Sequence, residues 1–287
     1  MTLLDCAFGL LMTMTNTPQD LAIESTTEQK GGNFTVHFHL RNKGGEAAAV
    51  MLDDHFCQYD TRVFDAAGKE LPPHDQRSVQ GFRMPPDKVA ATGIPPGKSV
   101  KIGYFQLRSD YAQADSGPLS WDLQVQAGGK IRVEFSYLLR KEEAAAVAGR
   151  GAAGVVVGEW TGARVDVQIP ALTLKSVQNI LSMRRNVTNP AAVDLVIEAL
   201  EKSRDEETRA TAAWSLGELK AETGVPAVSK ALLKDKARGV RIYAADALGM
   251  IGSKAGLPAL KEAAEKDADD LVRTRATDSL LKLTTKP

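Results

Sequence analysis

The four histidines of this chain, His37, His39, His55 and His74, fall within 38 residues, and Cys57 lies among them. His37-Phe38-His39 and His55-Phe56-Cys57 each place two donors two residues apart, on one face of a strand. Three imidazoles and a thiolate would suit zinc or copper. A metal-binding sandwich built on His37, His39, His55 and Cys57 is therefore one functional expectation. Strand geometry weighs against it. A tight hairpin at Lys43–Gly45 would set His37 near Val50 and His39 near Ala48. His55 would then lie about five residues farther along, roughly 17 Å away at ~3.3 Å per residue. Only a bend at Asp53-Asp54 would join the pairs, and surface histidines flanking a loop are the simpler expectation.

A second candidate is Gly93-Ile-Pro-Pro-Gly97-Lys98-Ser99, which looks like a phosphate loop. A P-loop has four residues between its glycines; here there are three. Pro95 and Pro96 offer no N–H to a phosphate, and the following residues have a strand pattern. Nucleotide binding is not expected.

No Gly-x-Ser-x-Gly, His-Glu-x-x-His, Cys-x-x-Cys or dinucleotide glycine pattern occurs. The chain beyond Leu174 has no His and no Cys, so it lacks the commonest general base and the softest nucleophile. Carboxylates such as Glu218 and Asp246 remain as potential acids. The expectation is a protein that is not an enzyme and needs no cofactor.

The elements that would position these residues change character half-way along. Up to Ile169 the pattern is β. Phe34, Val36, Phe38 and Leu40 alternate with polar residues, the period of a half-buried strand. Further strands are read in "QYDTRVFD", "SVKIGYFQL", "SWDLQV", "KIRVEFSYLL" and "ARVDVQI", with Gly and Pro between them. About eight short strands suggest an antiparallel sandwich over residues 21–170. The Ala/Gly stretch "RKEEAAAVAGRGAAGVVVG" leaves room for one short helical turn.

After Pro170 the spacing becomes helical and repeats every 32 residues. Val193, Val225 and Leu257 share one register; Ala212, Ala244 and Ala276 share another. Leu216, Leu248 and Leu280 follow, as do Arg209, Arg241 and Arg273. Three units in one register indicate a helical solenoid over residues 174–287, with "KSVQNILSMRR" as its capping helix. Alanine in each second helix lets neighbouring pairs stack closely. The three arginines are expected to bond an aspartate or a carbonyl of the neighbouring unit rather than form a basic binding ladder.

Two resemblances follow from these motifs. "FDAAGKEL", "IPPGKSVKIGYFQL", "KIRVEFSYLL" and "GEWTGARVDVQI" resemble bacterial immunoglobulin-like domains, which implies a sandwich, often exported, and no activity. The register D-x-x-V-R-x-x-A-A-x-x-L-G-x-I resembles HEAT repeats of the short bacterial kind related to phycobilisome lyases. It is read in Asp205–Leu219, Ala237–Ile251 and Asp269–Leu283. The third unit departs, with Leu281 where glycine is expected, as a terminal cap would. Some members of that family are chromophore lyases. A lyase or modifying enzyme is thus a further alternative, although no motif here carries that chemistry.

Trp214 interrupts an otherwise Ala-, Ser- and Thr-rich helix. With Ala212, Leu216 and Leu219 facing the core, Thr211, Trp214 and Glu218 lie opposite. Their counterparts are Tyr243, Asp246 and Met250, then Arg275, Asp278 and Lys282, with Ile242 at the edge. In HEAT-like solenoids these positions line the concave surface, implying an apolar centre with a charged rim that binds a protein. Alternatively, Trp214 folds back onto Gln178–Ser182 and closes the first repeat.

Lys plus Arg and Asp plus Glu both number 36. Neither half carries the basic excess of a nucleic-acid binder, so a nucleic-acid partner is not expected. The apolar run Cys6–Met14 is too short to span a membrane. Residues 1–20 read either as a flexible N-terminus or as the remnant of a signal segment, although the first basic residue is Lys30. The second reading implies export, the first a cytoplasmic protein. The expected architecture is an immunoglobulin-like sandwich followed by a short α-solenoid, acting as a protein-binding scaffold.

Overall fold

The computed structural model describes residues 20–30, 33–52, 58–73, 75–76, 91–108, 113–116, 119–148 and 154–285. His55, Cys57, His74 and the N-terminal apolar run lie outside them. The described chain divides into two compact units. The first takes the chain up to Gln106, then Asp115–Trp121 and Ile131–Val167. The second takes Leu107–Ala114, Asp122–Lys130 and everything from Gln168 onward.

The β-rich part is built from β1 (Leu21–Lys30), β2 (Asn33–Asn42), β3 (Ala48–Val50), β4 (Gln58–Phe64), β5 (Glu70–Leu71), β6 (Asp75–Gln76) and β7 (Thr92–Ile94). It continues with β8 (Ser99–Arg108), β9 (Gln113–Ser116), β10 (Leu119–Asp122), β11 (Lys130–Leu139), β12 (Gly158–Thr161) and β13 (Val165–Gln168). One sheet runs β1-β2-β8-β9-β10-β6 and a second β12-β11-β4-β5, with β13 also paired to β11. β3 and β7 form a separate pair. Val36, Phe38 and Leu40 of β2 are fully buried, as are Ile131, Val133 and Tyr137 of β11. The Phe38 and Phe135 rings stack at 4.6 Å and 11°, so the two sheets meet face to face. Gly103 permits this: a Cβ there would lie 2.4 Å from the Phe135 ring. The proline-rich turn closes with Lys98 N–H donating to Pro95 O at 3.0 Å, and Gly97 takes φ +69 as a type II turn requires. Where one helical turn was expected, α1 (Lys141–Ala148) forms.

The expected hairpin at Lys43–Gly45 does not form. β2 pairs instead with β1, setting His37 opposite Thr26 and His39 opposite Glu24. β3 pairs with β7, Ala48 opposite Ile94 and Val50 opposite Thr92. The cause is Asn42, which is fully buried. Its amide nitrogen donates to Glu46 O at 2.7 Å and Ile94 O at 2.8 Å, while its oxygen accepts from Gly44 N at 2.9 Å. It thus steers the chain away from β2 toward β7. The expected strand "SWDLQV" likewise ends at Asp122, and Gln124–Gln126 turns as a 3₁₀ helix.

The second unit contains α2 (Leu174–Ser182), α3 (Val193–Lys202), α4 (Glu206–Glu218), α5 (Val225–Lys234), α6 (Arg238–Ile251), α7 (Leu257–Lys266) and α8 (Asp270–Thr285). Thr173 and Ser176 form a reciprocal capping box at the start of α2. Asp205 caps α4 by accepting from Thr208 N at 2.8 Å. Val196, Val228 and Leu260 are fully buried, as are Ala212, Ala244 and Ala276. The repeat register is thus also a core register.

Candidate functional site

The second helices of the repeats, α4, α6 and α8, lie side by side because two glycines remove the obstacle between them. A Cβ on Gly217 would lie 2.9 Å from Ala247 Cα, and one on Gly249 would lie 2.6 Å from Ser279 Oγ. The close approach carries the rings of Trp214 and Tyr243 together, at 5.7 Å and an interplanar angle of 81°. This edge-to-face arrangement is favoured by the ring quadrupoles. Trp214 is half-buried and Tyr243 is 41% exposed. An open groove lined by both rings also takes in Arg184, Asn186, Glu207 and Thr211.

Arg184, held at φ +56 just past α2, closes the groove at the front. Its Nε and Nη2 donate to the two carboxylate oxygens of Glu207 at 2.9 and 3.1 Å. Sequence reasoning did not include Arg184, Asn186 or Glu207. The only signal was the paired arginine turn after the capping helix.

Farther along the face, Asp246 approaches Arg275 at 3.9 Å. Burial raises the Asp246 carboxyl above its ordinary range and Asp278 adds to this, while Arg275 and Lys282 oppose it. Glu218, Arg275, Asp278 and Lys282 are exposed. Ile242 and Met250 are only partly exposed and pack against the hydrophobic core. The exposed apolar centre is therefore the Trp214–Tyr243 pair, without Met250.

The repeated arginines lie behind this face. Arg209 grips Asp235, 26 residues on, with Nε and Nη2 at 2.7 and 2.9 Å from its two oxygens. Arg241 grips Asp267 in the same way at 2.8 and 3.1 Å. Each Nη1 also donates to the carbonyl six residues back, Ser203 O and Asp235 O, both at 3.1 Å. Each guanidinium thus ties one unit to the next.

The front of the solenoid is closed by Gln124, which is 1% exposed. Its side-chain nitrogen donates to Asn186 O at 3.1 Å and its side-chain oxygen accepts from Thr188 N at 3.0 Å. Its carbonyl accepts from Asn189 Nδ2 at 2.8 Å.

On β2, His37 Nε2 meets Glu28 Oε2 at 3.2 Å and His39 Nε2 meets Thr26 Oγ1 at 3.3 Å. The two imidazoles stand 6.5 Å apart. Among the described residues, no three His, Cys, Asp or Glu side chains are placed to hold one metal ion. No helix among them is long and apolar enough to cross a membrane.

Comparison with known families places HEAT repeats at residues 193–281. Residues 193–281 are HEAT repeats. The region spans α3 to α8. No curated protein matches the chain. Among solved structures, human deoxyhypusine hydroxylase in complex with glycerol is 25% identical with a TM-score of 0.33, covering 39% of this chain and 36% of that one. Epoxyqueuosine reductase with a modified tRNA-Tyr stem loop is 25% identical with a TM-score of 0.27, covering 28% and 21%. The CpcE–CpcF complex of phycocyanin lyase from Nostoc sp. PCC7120 is 19% identical with a TM-score of 0.31, covering 37% and 69%. The chain thus spans about a third or less of the first two proteins.

Proposed function

We propose that this protein is a non-enzymatic binding scaffold, and that the concave face lined by α4, α6 and α8 receives a protein partner. A HEAT-repeat region is consistent with protein binding. The observation that carries the finer reading is the Trp214–Tyr243 pair, two large rings left partly exposed at right angles in a groove. Aromatic anchors surrounded by charge are the residues on which interface energy concentrates. The rim is supplied by Glu207, Glu218, Asp246 and Arg275. The β-rich half, with two antiparallel sheets packed face to face, is read as an immunoglobulin-like sandwich.

The test is affinity capture from the native cell lysate with wild type, Trp214→Ala and Tyr243→Ala, alongside thermal melts of each. Loss of one specific captured protein from both variants, with each still folded, supports the reading. Capture unchanged in both variants overturns it. So does a loss of several kcal/mol in Trp214→Ala, since that would make Trp214 a core residue.

A further inference from the structure

β1 stands at the edge of the six-stranded sheet, hydrogen-bonded to β2 and, among the described residues, to no other strand. It pairs with β2 over ten consecutive positions without a bulge, from Leu21 opposite Asn42 to Lys30 opposite Asn33. Every second residue of such a strand turns its N–H and C=O away from its neighbour, leaving a row open to a further strand. From Ser25 to Lys30 every residue is exposed, on both faces of the sheet. Edge strands are usually blunted by proline, a bulge or a covering segment. Ser25–Lys30 has no proline and no bulge, and its side chains are open to solvent.

The charges along this edge alternate in a particular way. Residues opposite one another share a face, so Glu24, Thr26, Glu28 and Lys30 lie on the same outer face as His37 and His39. Ser25, Thr27 and Gln29 take the other face, where an open groove lined by Ile23, Phe38, Gly162 and Ala163 borders Ser25. Glu28 meets His37 at 3.2 Å. Glu24 meets Arg41 and Lys43 only loosely, at 3.4 and 3.6 Å, and its side chain stays 41% exposed. Lys30, at the exposed end, is the only basic residue of β1.

We propose that β1 pairs with β1 of a second copy of this chain, antiparallel about a two-fold axis at Thr27, joining two six-stranded sheets into one. The charge pattern selects both the partner and the register. Under such an axis one residue faces its own copy and the others pair symmetrically on either side of it. Centred on Thr27, Glu24 faces the partner's Lys30 and Lys30 the partner's Glu24, while Ser25 faces Gln29 and Thr26 faces Glu28. No like charges meet. Centred on Thr26, each Glu24 would face a Glu28; centred on Glu28, the two Glu28 side chains would face each other. Like charges directly opposite destabilise a strand pair, whereas opposite charges and Thr–Thr pairs favour it. Centres nearer Ile23 run the partner over Ala22 and Ile23, which are partly covered, and centres nearer Lys30 leave most of the edge unpaired. The interface is small, so the association is weak and reversible.

Sedimentation equilibrium of the full-length protein, from micromolar to millimolar concentration, is the test. A reversible monomer–dimer equilibrium is expected. Lys30→Glu turns both Glu24–Lys30 pairs into like-charge pairs and is expected to raise Kd about tenfold or more. Adding Glu24→Lys to that variant restores opposite charges and with them the dimer. Thermal melts establish that each variant is folded. Hydrogen exchange of the wild type gives a readout that needs no variant, with amides inside Glu24–Lys30 gaining protection as concentration rises. A monomer at every concentration overturns the proposal, and is the result if another segment of the same chain covers β1. A dimer indifferent to Lys30→Glu, a double variant that stays monomeric, or concentration-dependent protection away from β1 would each overturn it as well.

Discussion

Arg209 and Asp235 meet fork to fork, with both side chains almost wholly withdrawn from solvent. Arg241 and Asp267 repeat the arrangement one unit on. Burial alone would raise both aspartates, but hydrogen bonds from the arginine and a backbone N–H, with the nearby positive charge, win and lower them. A carboxyl lowered in the folded state contributes stability above its unfolded value, near 3.9. That contribution is lost as pH falls through the folded value. Thermal melts between pH 2 and 6 should therefore show the solenoid weakening below about pH 4. Asp235→Asn should flatten part of this slope and cost about 3–5 kcal/mol at neutral pH, since it leaves Arg209 buried without its charge partner. A variant as stable as wild type at pH 7 would refute the assignment.

Gly217→Ala and Gly249→Ala should both destabilise. Helix propensity favours alanine by about 1 kcal/mol, but the new methyl meets Ala247 Cα or Ser279 at under 3 Å. Overpacking of this kind costs about 1–3 kcal/mol. Gly239, in the first turn of α6, has nothing within 4 Å of its missing Cβ. Gly239→Ala should be neutral or slightly stabilising. Urea unfolding of the three variants separates contact from propensity, and equal effects at all three sites would contradict the contact argument.

Gln124→Ala should cost about 1–3 kcal/mol, because the amide of Thr188 and the carbonyl of Asn186 lose their partner. The fragment 174–287 lacks Gln124 altogether. Its circular dichroism should be strongly helical, with a melting temperature below that of the intact chain. A disordered spectrum would show that the repeats cannot form without the earlier segments of their unit.

His39 should make stability depend on pH near neutrality. Burial lowers its pKa, His37 and Lys101 add to this, and Glu24 opposes it. A lowered histidine favours the neutral ring in the fold, so its contribution is present above the unfolded value, about 6.5, and is lost as pH falls. His39→Gln should flatten the melting-temperature profile between pH 5 and 7, while a chelator leaves wild type unchanged. A chelator-induced drop would instead support a bound metal.

The solenoid was legible because its contacts are local and recur. A 32-residue period fixes which alanines and leucines face inward, and the helix-opening aspartates mark where helices start. The β-rich half was less so. β1 shows no apolar alternation from Ser25 to Lys30, because that stretch is exposed along its whole length, and it went unread as a strand. Lys43-Gly44-Gly45 looks like a hairpin turn, and only the buried Asn42 amide, reaching a carbonyl 52 residues away, redirects the chain. In the candidate site, the Trp214–Tyr243 pair followed from repeat spacing. Gln124 did not, because nothing near it in sequence announces partners 62 to 65 residues distant.

The strand registers also bear on how the chain reaches its fold. β11 pairs with β4 across a long stretch of sequence, Arg132 opposite Phe64 and Leu138 opposite Gln58. Closing such loops is slow, whereas helix pairs joined by short turns assemble in milliseconds or less. The slow half is the one synthesised first. At roughly 5–20 residues per second, translation of the remaining helical half takes on the order of ten seconds. The order of the halves along the chain therefore lets the long-range strand pairs close before the quickly forming repeats emerge to compete for their apolar surfaces.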